Sequence, residues 1–257
     1  MATYKKRGYK PKNKEEREEQ VEDQSTTAEV FNSLDEGANK TEEFVAKNQN
    51  IILIVIGIIA VVVLGYLAYE RFVVAPNEEA ATNEMYQAQS YFDDALIAPS
   101  TTKDSLFNLA LNGGEGKYGF LDIADEYSST DAGNLANYYA GMAYLNTGKY
   151  KEAISSLEDF SSDDLILAPL AKGAIGDAFL QLDQTEEALG YYESAAKMNA
   201  NEFTAPKFLL KAGITAIELG KADVAVKHLT ELKDKYETST EASQVAVYLG
   251  QAKAMQN

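Results

Sequence analysis

Nineteen consecutive residues, Ile51 to Tyr69, carry no charge and are all aliphatic except for Gly57, Gly65, Tyr66 and Tyr69. At about 1.5 Å of rise per residue, a helix of this length spans a hydrocarbon core of roughly 30 Å. No water is present there to satisfy backbone N–H and C=O groups, so the segment has to be helical. It divides the chain into a short charged stretch and a long remainder.

The first fourteen residues hold Lys5, Lys6, Arg7, Lys10, Lys12 and Lys14 and no acid, and Lys40 and Lys47 lie nearer the apolar run. The far flank offers only Arg71, beside Glu70. Lys and Arg decide orientation, whereas acids contribute little. The N-terminus is therefore expected in the cytoplasm and the remainder on the far side, with Tyr66 and Tyr69 at the outer interface. A cleaved signal peptide fits poorly: the run starts some fifty residues in, is longer than a usual signal core, and is not closely followed by a small-residue cleavage site. The chain has no cysteine. That excludes disulfides, thiol catalysis, thiolate metal sites and a lipid on an N-terminal cysteine.

Residues 72–257 carry 13 Lys/Arg against 28 Asp/Glu, a net charge of −15 out of −17 for the whole chain. Such a domain repels nucleic acid and anionic lipid headgroups. Residues 1–24 are nearly free of apolar side chains and cannot bury enough surface to fold. Their basic cluster sets topology and also suits an anionic inner leaflet. Residues 26–48 hold a weak helical spacing in Val30, Phe31 and Leu34, then Phe44 and Val45.

The outer part repeats. Gly141 precedes Ala153 by twelve residues, as Gly176 precedes Ala188 and Gly213 precedes Ala225; the glycines recur after 35 and 37 residues. Mid-helix glycine costs about 1 kcal/mol relative to alanine. Its return in one register implies a packing role: a first helix with a bare spot on which a second helix closes. Leu157, Tyr192 and Leu229 lie four residues after each alanine, on the same stripe of the second helix. Turns fall near Gly148, Asp183 and Gly220. Thr185 reads as an N-cap ahead of Glu186 and Glu187, and Thr238 with Glu241 as a capping box for a helix at 239–255. Helices are also expected at 77–98, 102–111 and 117–127.

The repeat resembles the tetratricopeptide repeat, a helix–turn–helix of about 34 residues with small residues at its eighth and twentieth positions. The resemblance covers residues 134–237. It departs from the family pattern at Ala216, which stands where an aromatic is usual, and in having no tryptophan. It implies an all-α chain, a single transmembrane helix followed by a tetratricopeptide-repeat α-solenoid. The expected parts are a charged, largely disordered tail (1–48), the membrane helix (49–71), a divergent helical part (72–133), three repeats (134–237) and a capping helix (238–257). The family's concave groove, carried over in the glycine register, gives Leu135, Tyr138, Met142, Leu145 and Asn146 in the first repeat. The second gives Leu170, Gly173, Asp177, Leu180 and Gln181, and the third Lys207, Leu210, Ile214, Ile217 and Glu218. The basic clamp by which some family members grip a C-terminal carboxylate is absent.

No catalytic or metal-ligating constellation stands out, so an enzyme is not expected and no cofactor is assigned. His228 is the only histidine. Asn112 to Lys117 lacks the first glycine and the following Ser or Thr of a phosphate loop. Asp163, Asp164, Glu186 and Glu187 read as helix-start acids. Tail, membrane helix, Pro76 and repeats, in that order, also resemble the YfgM family of ancillary subunits of the SecYEG translocon, as do Phe120 to Tyr127 and Asn134 to Tyr139. That resemblance implies a single-pass bacterial inner-membrane protein with a periplasmic domain. Its implied partners are a SecYEG-type translocon and a membrane-anchored, PpiD-like chaperone. Gly57 and Gly65 share a helix face and admit close approach of a partner helix in the bilayer. A scaffold in another envelope or cell-division assembly is the alternative.

Overall fold

The computed structural model describes residues 26–198 and 200–256, in two units divided between Tyr69 and Glu70. The basic cluster Lys5 to Lys14 lies outside the described residues.

The first unit is one helix, α1 (Thr26–Tyr69), of 44 residues. It starts well ahead of the apolar run and takes in residues 26–48, where the sequence holds only a weak helical spacing. The physical reason is cooperativity: a helix already nucleated in the apolar run extends at little cost. The helical stretch holding the apolar run has a window of mean hydropathy 3.2, none of it buried, and is long and apolar enough to cross a membrane.

The second unit opens with a π-helical turn, Glu70–Val74, and α2 (Ala75–Ile97). The wide turn stands just before Pro76, which has no N–H to give and whose ring crowds the carbonyl four residues back. α3 (Ser100–Asn112) folds back on α2, and the short α4 (Phe120–Glu126) leads into the repeats. These helices share an aromatic core. Phe120 stacks on Tyr139 at 5.1 Å, and Phe92 meets Phe107, Phe120 and Tyr139 edge-on. From α2, the Glu78 carboxylate accepts hydrogen bonds from Asp131 N (2.7 Å) and Ala132 N (3.0 Å). It satisfies donors at the start of α5 that no intrahelical carbonyl can reach.

Three helix pairs follow: α5 (Asp131–Asn146) with α6 (Tyr150–Asp159), α7 (Leu167–Gln181) with α8 (Thr185–Lys197), and α9 (Ala205–Glu218) with α10 (Ala222–Lys235). Each second helix also packs on the next first helix, and α11 (Ala242–Ala254) closes the row against α10 and α9. The turns are alike. Gly148, Asp183 and Gly220 take positive φ, at 73°, 59° and 73°. The amides that follow, of Lys149, Gln184 and Lys221, bond back to the carbonyls of Tyr144, Phe179 and Ala216 at 2.8–3.0 Å. This is the Schellman closure, which uses orphan carbonyls at a helix end.

The register glycines do what their spacing implies. A Cβ on Gly141 would lie 2.4 Å from Leu157 Cγ, one on Gly176 2.7 Å from Tyr192 Cε1, and one on Gly213 2.7 Å from Leu229 Cγ. In each pair the bare glycine receives the side chain four residues after the repeat's alanine. Five residues before each glycine, Ala136, Ala171 and Phe208 are buried, and two residues after it so are Ala143, Ala178 and Thr215.

Two expected caps are not formed. Thr185 is the first residue of α8, preceded by Gln184 without a side-chain cap, because the Schellman turn already fixes the entry into the helix. Nor do Thr238 and Glu241 form a box. α11 starts at Ala242, whose amide takes Ser239 Oγ at 3.2 Å within a run of tight turns.

Candidate protein-interaction face

The first helices α5, α7 and α9 present equivalent positions side by side, and the residues expected to line a groove divide by depth. One turn past the glycine, Asn146, Gln181 and Glu218 are exposed in a row, and Lys207 is exposed at the start of α9. Met142, Asp177 and Ile214 are half-buried along the middle, as are Tyr138 and the leucines Leu135, Leu145, Leu170 and Leu180.

Three of the expected lining residues lie inside. Leu210 and Ile217 are buried, and Gly173 is covered by Phe208 of the next repeat. The reason is lateral stacking: the position three before a register glycine faces the position five before the next one. Where the first is glycine, the second is the large Phe208. Where the first is Tyr138, the neighbouring first helix offers Ala171 and the ring remains half-exposed, packed near Phe160 at 5.3 Å.

The middle of the face carries a polar network. Asp177 Oδ1 accepts a hydrogen bond from Tyr192 OH at 2.6 Å and pairs with the Lys211 ammonium of the next repeat. Lys211 Nζ also stands 5.3 Å from the centroid of the Tyr192 ring. Burial pushes the Tyr192 phenol far above its ordinary value, helped by the bond to Asp177 and the nearby negative charges of Asp177 and Glu218. Asp177, one of the expected groove residues, is thus held by two partners. Asp177 stands one residue after Gly176 and Lys211 two before Gly213, so the repeat register does not mark the pair. Gln181 is tied from the other side, where Tyr150 OH donates to its Oε1 at 3.3 Å. Asn146 returns its amide to Met142 O at 2.9 Å.

Two exposed apolar residues lay outside the sequence reading: Leu165, at 61% exposure, and Phe203, at 80%. They precede α7 and α9, and Asn201 Nδ2 donates to Leu165 O at 2.9 Å, bringing the two loops together. The sequence marks them only as large apolar residues next to Asp163, Asp164 and Glu202.

On the second helices, polar contacts run from repeat to repeat. Tyr191 OH donates to Glu158 at 2.9 Å, and His228 Nε2 lies 2.6 Å from Glu193. Glu158 and Glu193 both stand five residues after their repeat alanine, while Tyr191 and His228 both stand three after theirs. His228 is therefore a buried structural residue, with a side chain only 3% exposed. These contacts and the first-helix row describe a stacked scaffold with a polar, partly apolar face.

Residues 135–163 and 208–239 match the family model of the tetratricopeptide repeat. The two stretches contain the Gly141–Leu157 and Gly213–Leu229 pairs. The intervening Gly176–Tyr192 pair has the same geometry. No curated protein matches the chain. The fold is a long apolar helix followed by helical repeats of tetratricopeptide type, an architecture that serves protein–protein interaction.

Proposed function

We propose that this chain is a membrane-anchored adaptor whose repeat domain binds protein through its first-helix face. The observation that carries the reading is the row Asn146, Gln181 and Glu218, with Lys207, standing exposed beside half-buried Met142 and Ile214 on stacked repeats. A groove of this kind offers hydrogen bonds along a rim and apolar contact below it, which suits an extended or helical segment of a partner.

In this reading α1 holds the chain in a bacterial inner membrane, the basic N-terminus lies in the cytoplasm and the repeats stand in the periplasm. The order of parts favours an ancillary subunit of a SecYEG-type translocon that couples emerging chains to a membrane-anchored, PpiD-like chaperone. Gly57 and Gly65, where a built Cβ meets nothing within 4 Å among the described residues, would seat a partner's membrane helix.

The test is co-purification of the tagged full-length protein in mild detergent, with mass spectrometry of what is retained. A second preparation carries arginine at 146, 181 and 218. Recovery of translocon subunits and a chaperone, lost in the triple variant, supports the whole reading. Recovery of another envelope or cell-division assembly, lost in the same variant, keeps the adaptor and discards the translocon. Partners that do not respond to the triple variant discard the face.

A further inference from the structure

The glycine register continues past the third repeat. Gly250 follows Gly213 by 37 residues, as Gly213 follows Gly176. The rest of α11 keeps the pattern. Val245, five before Gly250, and Ala252, two after it, are buried, as their counterparts are in α5, α7 and α9. α11 is thus built as the first helix of a fourth repeat.

Its glycine differs in one respect. Gly141, Gly176 and Gly213 are each covered by a leucine or tyrosine of a second helix, whereas nothing among the described residues lies within 4 Å of a Cβ built on Gly250. Around it Ala246, Val247 and Ala254 are exposed, Val247 at 71%. α11 carries a single charged residue, Lys253, in a domain with a net charge of −15. A terminal repeat that faces water needs a polar outer surface. Here Ala246, Val247, Gly250 and Ala254 leave an exposed apolar strip, bordered by Ser243, Gln244, Gln251 and Lys253.

We propose that the outer face of α11 is a docking site for a helix supplied by a protein partner, which completes the fourth repeat. The interface it would extend is already present three times in the molecule, and it specifies the occupant. That occupant is an amphipathic helix with a small residue followed four positions later by a leucine or tyrosine, as in Ala153/Leu157, Ala188/Tyr192 and Ala225/Leu229. The large side chain seats on Gly250 and the small residue lets the two backbones approach. Val247 and Ala254 flank the seat. This surface is separate from the first-helix face and does not depend on what that face binds.

The test uses full-length protein in detergent and, as probe, a labelled synthetic peptide with the sequence of residues 221–236, the second helix of the third repeat. Binding is followed by fluorescence anisotropy. The expected result is saturable binding that weakens about tenfold or more when Gly250→Leu fills the seat, and by a similar factor when the peptide carries Leu229→Ala. Gly250→Leu should leave the protein folded, with thermal unfolding unchanged or slightly raised by helix propensity, because the added side chain meets no neighbour among the described residues. Equal binding to both proteins overturns the proposal, as does no binding to either at about 1 mM peptide. A self-association of the wild type that Gly250→Leu abolishes in sedimentation also overturns it, since a second copy would then cover the face.

Discussion

Phe208 lies against the backbone of Gly173: a Cβ on that glycine would stand 1.8 Å from the ring's Cε1. The contact joins two repeats across their first helices and leaves no room for a methyl group. Gly173→Ala should therefore destabilise the domain by about 1–3 kcal/mol through overpacking. Gly190 is an exposed glycine within α8, where a built Cβ meets nothing within 4 Å among the described residues. Gly190→Ala should stabilise by about 0.5–1 kcal/mol through helix propensity. Thermal unfolding of the full chain in detergent separates the two, and equal shifts would refute the stacking described here.

Asp183 holds a left-handed conformation, φ 59°, that Gly148 and Gly220 hold in the neighbouring repeats. An L-residue pays about 1–2 kcal/mol for this region, less for aspartate than for most. Asp183→Gly should raise the melting temperature, by about 0.5–1 kcal/mol of stability once the added chain entropy of glycine is set against the relief. A fall in melting temperature would show that the Asp183 side chain contributes more than its backbone costs.

His228 takes the place in the third repeat that Tyr191 takes in the second, each meeting a glutamate of the preceding repeat. Its Nδ1 is buried without a hydrogen-bond partner among the described residues. His228→Tyr should restore the tyrosine–glutamate arrangement and cost less than about 1 kcal/mol, whereas His228→Ala leaves a cavity and costs about 2–4 kcal/mol. If both variants melt alike, the inter-repeat contact at Glu193 has no energetic role.

Stability should fall at both ends of the pH scale for identifiable reasons. Backbone amides of Leu167 and Ile166 donate to Asp164 and hold its carboxyl below the ordinary aspartate value. A depressed folded-state pKa gives stability that is present above the unfolded value and is lost as pH falls through the folded one. Asp164→Ala should flatten the acid limb. At the other end, burial raises the Tyr192 phenol above its ordinary value of 10.0, with the bond to Asp177 adding to it. That contribution is complete below pH about 10 and is lost as pH rises beyond it. Tyr192→Phe should make alkaline unfolding less steep, read by denaturation at a series of pH values. A wild-type alkaline limb unchanged in that variant would refute the assignment.

The repeat frame was legible because a mid-helix glycine is costly, so three in one register could be read as packing before any contact was seen. Gly250 escaped that reading because it lies outside residues 134–237, over which the glycine–alanine spacing is legible. The floor of the first-helix face was harder to read. Whether Leu210 or Tyr138 is exposed depends on the size of a residue one repeat away, Val245 or Ala171, and a single register cannot show this. Two helix starts were not legible because a Schellman turn, rather than Thr185, fixes the entry into α8, and a run of tight turns, rather than Thr238, fixes the entry into α11.

The fit of Gly173 beneath Phe208 also gives the repeats an order. Placing the third repeat directly after the first would bring Phe208 against Tyr138, two rings in a space now shared with Ala171. Doubling the second would set Ala171 against Gly173 and leave a void. The units look interchangeable in their glycines and alanines, but their large and small residues make each fit only its own neighbour. A chain of this kind cannot lengthen by copying one internal unit unless the side chains at the new junction change with it.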